Sequence, residues 1–206
     1  MFVFTAGGLR GSDSKGPREE IVVSVKEQKL LLLANGKPSA LYTISTSRFG
    51  TGDKFGSYAT PLGKFVIRTM IGKGLPLGSV LHSREPTGEI LKPNAPGRDP
   101  IVSRILWLDG SEPGNRNAFQ RCIYIHGTPR EKELGHPASY GCIRMRSLDV
   151  AALSDRVGEG VPVTITPGPL PSLSKGGVPR PAPSRQGNRS VAIHLSRDEP
   201  GLGKQG

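Results

Sequence analysis

The sequence reads IYIHGT at residues 123–128 and SYGCIRM at residues 139–145. The first stretch predicts a short apolar strand that ends at His126. The second places Cys142 directly after a glycine and shortly before Arg144. Because a thiolate attacks and a thiol does not, a catalytic cysteine needs a proton acceptor or a positive neighbour that lowers its pKa. His126 can be that acceptor and Arg144 that neighbour, so the pattern indicates a thiol nucleophile with its base.

The spacing of these residues resembles the L,D-transpeptidase family, also called the YkuD domain. The family signature is a His-Gly pair, then Ser/Thr-x-Gly-Cys, an apolar residue and Arg or Asn. It falls here on His126-Gly127 and on residues 139–144. The resemblance covers residues 20–166, and its upstream part rests on residues 21–25, 28–33, Asn35-Gly36, Ser45-Thr46 and 60–65. Many members carry histidine at the position of Tyr140, which leaves His126 as the only family-matched base.

The resemblance implies a mainly β fold, a curved β-sandwich or open barrel of the L,D-transpeptidase type with one or two short helices. Runs of β-forming residues predict strands at residues 21–25, 29–33, 40–46, 64–70, 101–108, 121–125 and 161–166. One helix is predicted to take Ser147 as its N-cap, to bury Val150, Leu153 and Val157, and to end at Gly158.

Composition divides the chain of 206 residues into three parts. Residues 1–19 are expected to form a flexible leader, residues 20–166 the L,D-transpeptidase catalytic domain, and residues 167–206 a disordered tail rich in Pro, Gly and Arg. Inside the domain, residues 71–100 are rich in Pro and Gly. They predict a long irregular excursion that flanks the substrate groove, or that contains short strands.

The resemblance implies a reaction on peptidoglycan. Cys142 attacks the carbonyl of a meso-diaminopimelate or equivalent residue in a tetrapeptide stem, expels the terminal D-alanine and forms a thioester acyl-enzyme. The side-chain amine of a neighbouring stem then attacks the thioester and completes a 3→3 cross-link. His126 transfers the protons while the Gly127 carbonyl orients its ring, and the amides of Gly141 and Cys142 are the candidate oxyanion donors.

Three further residues are candidates for substrate contact or for shaping the site. Arg144 either binds a substrate carboxylate through two parallel hydrogen bonds or forms a structural salt bridge with Asp149 or Glu133. Ser139 either forms a hydrogen bond within the turn before Cys142 or only shapes that turn. Tyr140 is expected to line the groove with its ring against the stem peptide.

Other functions remain open at this point. The same acyl-enzyme serves a protein-anchoring enzyme and an L,D-carboxypeptidase, which differ only in the acceptor. Another cysteine acyl-transfer enzyme of the cell envelope, such as a sortase-like transpeptidase, also orders His, Cys and Arg along the chain, but with His and Cys much farther apart. A non-catalytic wall-binding module is disfavoured because His126 and Cys142 are both intact.

The net charge of +11 favours a polyanionic partner, such as nucleic acid, an anionic membrane or a wall polymer. Alternatively, the charge serves solubility alone. Nucleic acid is not expected, because the sequence has no zinc-finger spacing, no RRM-like aromatic cluster and no long basic helix. No apolar run approaches the roughly 18 residues of a transmembrane span. The family acts in the cell envelope, which implies a periplasmic or extracytoplasmic location, although no signal peptide is readable at the start of the chain.

No cofactor is expected, and no metal. His136 lies between His126 and Cys142, but this spacing matches no common zinc pattern, and a metal on Cys142 would block the nucleophile. The predicted strand would place Cys122 roughly 13 Å from His126 on the same face. Cys122 is then too far from Cys142 for a disulfide and is expected to pack as a small core residue.

Overall fold

The computed structural model of the protein describes residues 18–171. The predicted leader, apart from its last two residues, and most of the predicted tail lie outside this range. Strands β1 to β10 span Glu19–Ser24, Lys29–Ala34, Lys37–Ser45, Gly63–Ile71, Ser79–His82, Glu85–Ile90, Ile101–Gly110, Tyr124–Gly127, Ile143–Met145 and Pro162–Thr166. A 3-10 helix spans Glu131–Glu133, and helix α1 spans Ser147–Ser154.

All ten strands belong to one sheet, in the order β4-β10-β1-β2-β3-β9-β8-β7-β5-β6. Strand β4 also pairs with β7, so the sheet closes on itself and the β5–β6 hairpin extends from the closed part. Most neighbouring strands are antiparallel, but β8 and β9 run parallel. The predicted mainly β class with a strongly curved sheet is confirmed, and the β4–β7 pairing makes the barrel closed.

Local sequence explains the first hairpin. Asn35 and Gly36 connect β2 to β3 and have φ values of 52° and 72°. A two-residue hairpin turn requires positive φ at both positions, which Asn and Gly tolerate. Ala34 and Lys37 therefore pair across the turn, and this fixes the register of the hairpin.

The barrel interior holds the main hydrophobic core. Apolar side chains from β1, β2, β4, β7, β8 and β10 are buried there, and Val150 and Leu153 of α1 join the same cluster. Helix α1 contacts β7 and β8, so it supports the strand that carries His126. No helix within residues 18–171 is both long enough and apolar enough to cross a lipid bilayer.

The helix differs from its prediction at both ends. Ser147 is its first residue rather than its N-cap, because the Ser147 amide donates to the Glu131 carboxylate at 3.0 Å. The carboxylate of Glu131, in the 3-10 helix, therefore satisfies the first main-chain amide of the helix. The helix also ends earlier, at Ser154, although Val157 still packs against the core as predicted.

The strand predictions are corrected in two places and decided in a third. Strand β8 begins at Tyr124 and not at residue 121, because Cys122 has φ 55° and lies in a turn. Residues 71–100 contain the β5–β6 hairpin, which agrees with the alternative that this segment contains short strands. The short strand Ile143–Met145 was not predicted at all.

Candidate active site

The two parallel strands β8 and β9 bring the predicted site residues together. His126 lies opposite Arg144 in this pairing, and Cys142 directly precedes β9. Paired residues of parallel strands share a face, and alternate residues along a strand share it too. Cys142 is therefore a diagonal neighbour of His126 on the same side of the sheet.

The sulfur of Cys142 is hydrogen-bonded to two main-chain groups. The Tyr124 amide donates to Sγ at 3.4 Å, and the thiol donates to the Cys122 carbonyl at 3.3 Å. Burial raises the pKa of Cys142 to about 11, and the Tyr124 amide, Arg121 and Arg144 only partly oppose this. The free protein therefore holds Cys142 as a thiol at neutral pH, whereas the sequence had suggested a lowered pKa.

The position of Cys122 corrects another prediction. A strand through residue 122 would have placed this residue roughly 13 Å from His126, but the chain turns at Cys122 and its carbonyl reaches the Cys142 thiol. Both cysteines are half-buried and free, and both pack against the cluster of Leu81, Ile105 and Tyr124. Cys122 is thus part of the surroundings of the nucleophile.

His126 is buried and oriented by its own neighbour in the chain. Its Nδ1 lies 2.9 Å from the Gly127 carbonyl oxygen. A carbonyl only accepts, so Nδ1 carries the proton and Nε2 presents its lone pair as the base. Burial lowers the pKa of His126 to about 4, and the nearby Arg144 charge adds to this effect. The imidazole is therefore neutral at neutral pH and ready to accept a proton.

Gly127 is required for space. A Cβ at this position would lie 2.5 Å from the Val102 carbonyl oxygen of β7, closer than real Cβ contacts. Glycine thus allows β7 and β8 to approach at the residue whose carbonyl holds the His126 ring.

The turn before Cys142 is held by two buried hydroxyl groups. Ser139 donates to the Cys142 carbonyl at 2.6 Å and accepts the Gly141 amide at 3.2 Å. Thr60 donates to the Gly141 carbonyl at 2.9 Å and accepts the Ser47 amide at 3.0 Å. Thr60 lies in a segment that carries the family resemblance, but no sequence signal assigned it this contact.

Gly141 has the geometry expected for a sharp turn, with φ 120°. Its amide, however, donates to Ser139 Oγ and does not face the cysteine sulfur as a free donor. This differs from the prediction that the amides of Gly141 and Cys142 act together, and it leaves the Cys142 amide as the main-chain oxyanion candidate.

Arg144 forms two ion pairs. Its guanidinium binds Asp99, and it binds Glu133 at 3.1 Å, with the Arg144 side chain only 5% exposed. Burial pushes the pKa of Glu133 up, but hydrogen bonds from Arg130 and Arg144 outweigh it and hold that pKa below its usual value. Of the two sequence interpretations, the geometry favours the structural salt bridge, made with Glu133 and with Asp99 instead of Asp149.

Asp99 was missed by the sequence analysis. It comes from the end of the segment at residues 71–100 and also accepts the Thr128 hydroxyl at 2.5 Å. An acidic residue in a Pro- and Gly-rich loop gives no pattern that would point to a partner 45 residues later. Its contact with Arg144 nevertheless places the end of that loop beside the site.

Tyr140 lies at the surface beside the nucleophile and is 58% exposed. Its ring contacts the rings of Phe49 and Tyr58, with centroids 5.4 and 5.8 Å away. The Arg48 guanidinium lies over the Tyr140 ring at 4.2 Å. These residues form an exposed aromatic cluster that the sequence did not reveal.

Within residues 18–171, no group of three or more His, Cys, Asp or Glu side chains is placed to bind a metal ion. His136, considered above as a metal ligand, is exposed to solvent.

The site therefore combines the protonated thiol of Cys142, a neutral histidine held by a carbonyl, and a constrained turn before Cys142. Residues 18–165 match the family model of the L,D-transpeptidase catalytic domain, YkuD. The chain belongs to this family. Among curated proteins, no sequence matches it significantly.

Solved structures with similar folds include several L,D-transpeptidases. The enzyme from Mycobacterium smegmatis is 18% identical, with 73% of this chain and 59% of that chain covered and a TM-score of 0.47. L,D-transpeptidase 3 from Mycobacterium tuberculosis is 18% identical, with coverages of 73% and 62% and a TM-score of 0.49. The catalytic domain from the E. faecium L,D-transpeptidase is 17% identical, with coverages of 74% and 100% and a TM-score of 0.47. The chain thus covers less than two thirds of the two mycobacterial proteins.

Proposed function

We propose that this protein is a peptidoglycan L,D-transpeptidase that forms 3→3 cross-links through a cysteine thioester. The observation that carries the proposal is the arrangement of Cys142 and His126 on one face of β8 and β9, with Nδ1 bound to the Gly127 carbonyl. The Gly127 contact leaves Nε2 unprotonated, and the Cys142 thiol on the same face still holds its proton. Membership of the family supplies the substrate class.

In the first half-reaction, a tetrapeptide stem binds and its carbonyl carbon is attacked by the Cys142 sulfur. The thiol proton moves to Nε2 of His126 as the sulfur–carbon bond forms, and the Cys142 amide stabilises the oxyanion. The bond to the terminal D-alanine then breaks, and His126 returns the proton to the leaving amine. A thioester and free D-alanine are the products.

The second half-reaction transfers the acyl group. A side-chain amine of a neighbouring stem attacks the thioester carbon, neutral His126 accepts a proton from that amine, and the proton is returned to the departing sulfur. If water or a protein amine replaces the stem amine, the same intermediate gives hydrolysis or anchoring. In this mechanism Tyr140, exposed two residues before Cys142, would contact the donor or the acceptor stem.

The resting contacts of the sulfur set the requirement for activation. The thiol donates to the Cys122 carbonyl, so its hydrogen must turn from this acceptor toward His126 before attack. Active-site hydrogen bonds often tighten only when substrate is bound. We infer that the bound stem peptide shifts the thiol from its resting acceptor to the imidazole.

The test is incubation of the protein with a disaccharide tetrapeptide, with products identified by mass. We expect release of D-alanine, a dimer joined 3→3, and an acyl-enzyme on Cys142. Cys142→Ala should abolish all three, while the matched variant Cys122→Ala should retain turnover because its backbone carbonyl remains. More than a few per cent of activity in Cys142→Ala would refute the assignment of the nucleophile.

The same incubation separates the candidate acceptors. A tripeptide stem as the main product would instead identify an L,D-carboxypeptidase.

Carbapenems should also add one drug equivalent to the native protein, and not to Cys142→Ala, because their strained amide resembles the stem carbonyl. An unchanged mass of the native protein would show that the pocket does not accept this family of inhibitors.

The family reaction takes place on the cell wall, and we propose an extracytoplasmic location with peptidoglycan stem peptides as donor and acceptor. Fractionation of cells that produce the tagged full-length protein would test this location. Recovery of the protein only with cytoplasmic markers would contradict it.

A further inference from the structure

A cavity of about 450 Å³ lies next to the turn that carries Cys142. Its charged wall consists of Arg48, Arg130, Arg144, Asp99 and Glu133, and we call it the arginine pocket. Tyr140 also lines it, two residues before Cys142 in the chain. Stem peptides carry several carboxylates. Whether the pocket can bind one depends on whether an arginine in it has no carboxylate partner.

Most charges in the arginine pocket neutralise one another. Arg144 binds Asp99 and Glu133, and Arg130 binds Glu133 at 3.1 Å and the Gly97 carbonyl at 3.0 Å. The positive charges of Arg130 and Arg144 are thus balanced by the negative charges of Asp99 and Glu133.

Arg48 supplies the remaining charge. It forms no ion pair with any residue of the described range, and its side-chain contacts are with the rings of Phe49 and Tyr140. A guanidinium has five N–H donors, and stacking on a ring leaves their edge free for an acceptor.

The backbone of Arg48 is tied to the catalytic turn. Its amide donates to the Ser139 carbonyl at 3.2 Å, and Ser139 in turn bonds the Cys142 carbonyl. The Tyr140 ring lies 4.2 Å from the guanidinium carbon and restricts its position. Arg48 is therefore held at a defined offset from the nucleophile despite its exposure.

We infer that Arg48 is a substrate-binding residue that takes a free carboxylate of a stem peptide in the arginine pocket. The inference rests on the proposed function and assigns to Arg48 the role that the sequence had allowed for Arg144, whose two terminal nitrogens already bind Asp99 and Glu133. A carboxylate can accept two parallel hydrogen bonds from the edge of a guanidinium. The donor stem and the acceptor stem both carry such a group.

The experiment compares Arg48→Ala with the wild type on stems whose carboxylates are free or amidated one at a time. With free carboxylates, kcat/KM should fall roughly 10- to 100-fold, the scale of a lost charged hydrogen-bond pair. Amidation of the recognised carboxylate should impair the wild type and leave the variant unchanged. Arg48→Lys keeps the charge without the planar edge and should fall in between.

Two half-reactions identify the source of the carboxylate. D-alanine release in single turnover reports the donor, and decay of a preformed thioester with added acceptor reports the acceptor. Arg68→Ala is the matched control, since this exposed arginine lies 5.0 Å over Phe119 and is not part of the pocket lining. It should retain wild-type dependence on every carboxylate.

Equal sensitivity of the wild type and Arg48→Ala to every amidation would overturn the inference while leaving the proposed function intact. A wild-type protein that releases no D-alanine from any stem would overturn the proposed function and this inference together.

Discussion

His126→Gln should reduce the acid sensitivity of the folded state. Burial lowers the pKa of His126 to about 4 in the folded protein from an ordinary value of 6.5. Below pH 6.5 the unfolded chain takes up a proton that the folded state refuses, so stability falls as the pH falls. The contribution is fully present above about pH 6.5 and is lost by about pH 4.

The magnitude follows from the size of the shift. About 2.5 pKa units correspond to about 3 kcal/mol of unfolding free energy at 1.36 kcal/mol per unit. At pH 5, where the unfolded imidazole is almost fully charged and the folded one mostly neutral, about 2 kcal/mol of this is already lost. Glutamine does not titrate, so the substitution removes this source of pH dependence.

Urea unfolding at pH 8 and pH 5 provides the measurement. The drop in unfolding free energy between the two pH values should be about 2 kcal/mol smaller in His126→Gln than in the wild type. His136→Gln is the control, because it removes an imidazole that is exposed to solvent, and it should follow the wild-type curve. Identical pH dependence in the wild type and His126→Gln would refute the argument from burial.

Three other substitutions test how the site is built. Gly127→Ala would place a Cβ 2.5 Å from the Val102 carbonyl. It should lower the free energy of unfolding in urea by about 1–3 kcal/mol and should lower kcat. Gly158→Ala, with open space around it, should change neither quantity. Thr60→Val should cost about 1–3 kcal/mol, because the buried Ser47 amide and Gly141 carbonyl lose their hydroxyl partner; an unchanged midpoint would show that another group replaces it. Arg121→Ala breaks a buried pair with Asp53 whose side chains are 6% and 8% exposed and should cost about 3–5 kcal/mol. Loss of the exposed Arg68–Asp109 pair in Arg68→Ala should cost less than about 1 kcal/mol, and equal losses in the two variants would contradict the role of burial.

The sequence predicted the elements whose signals are local. The Asn35-Gly36 turn, the apolar runs of β1, β2 and β10 and the stripe of α1 each follow from residues close in the chain. The His-Gly and Ser-x-Gly-Cys motifs identified the family because their spacing is specific. These signals were sufficient for the class of fold and for the family.

Contacts between distant segments could not be predicted in the same way. The β-formers at residues 121–125 resemble a strand, yet Cys122 adopts a positive φ. The neighbouring Arg121 guanidinium is held by Asp53 and by the Gly52 and Ala59 carbonyls from another loop. Likewise, Ser147 looks like a cap, but the Glu131 carboxylate satisfies its amide. Each error arose where a partner far along the chain overrides a local preference.

The raised pKa of the Cys142 thiol affects how readily its sulfur is oxidised. Oxidation of cysteine to sulfenic acid proceeds through the thiolate, and a thiol with a pKa of about 11 has almost none at neutral pH. We expect peroxide to label Cys142 slowly in the free protein, as measured by trapping of the sulfenic acid with dimedone, and much faster after unfolding in urea. Equal rates in the two states would show that the fold does not shield the sulfur. Because burial keeps the sulfur protonated, the same fold that raises the pKa of Cys142 should also slow its loss to oxidation.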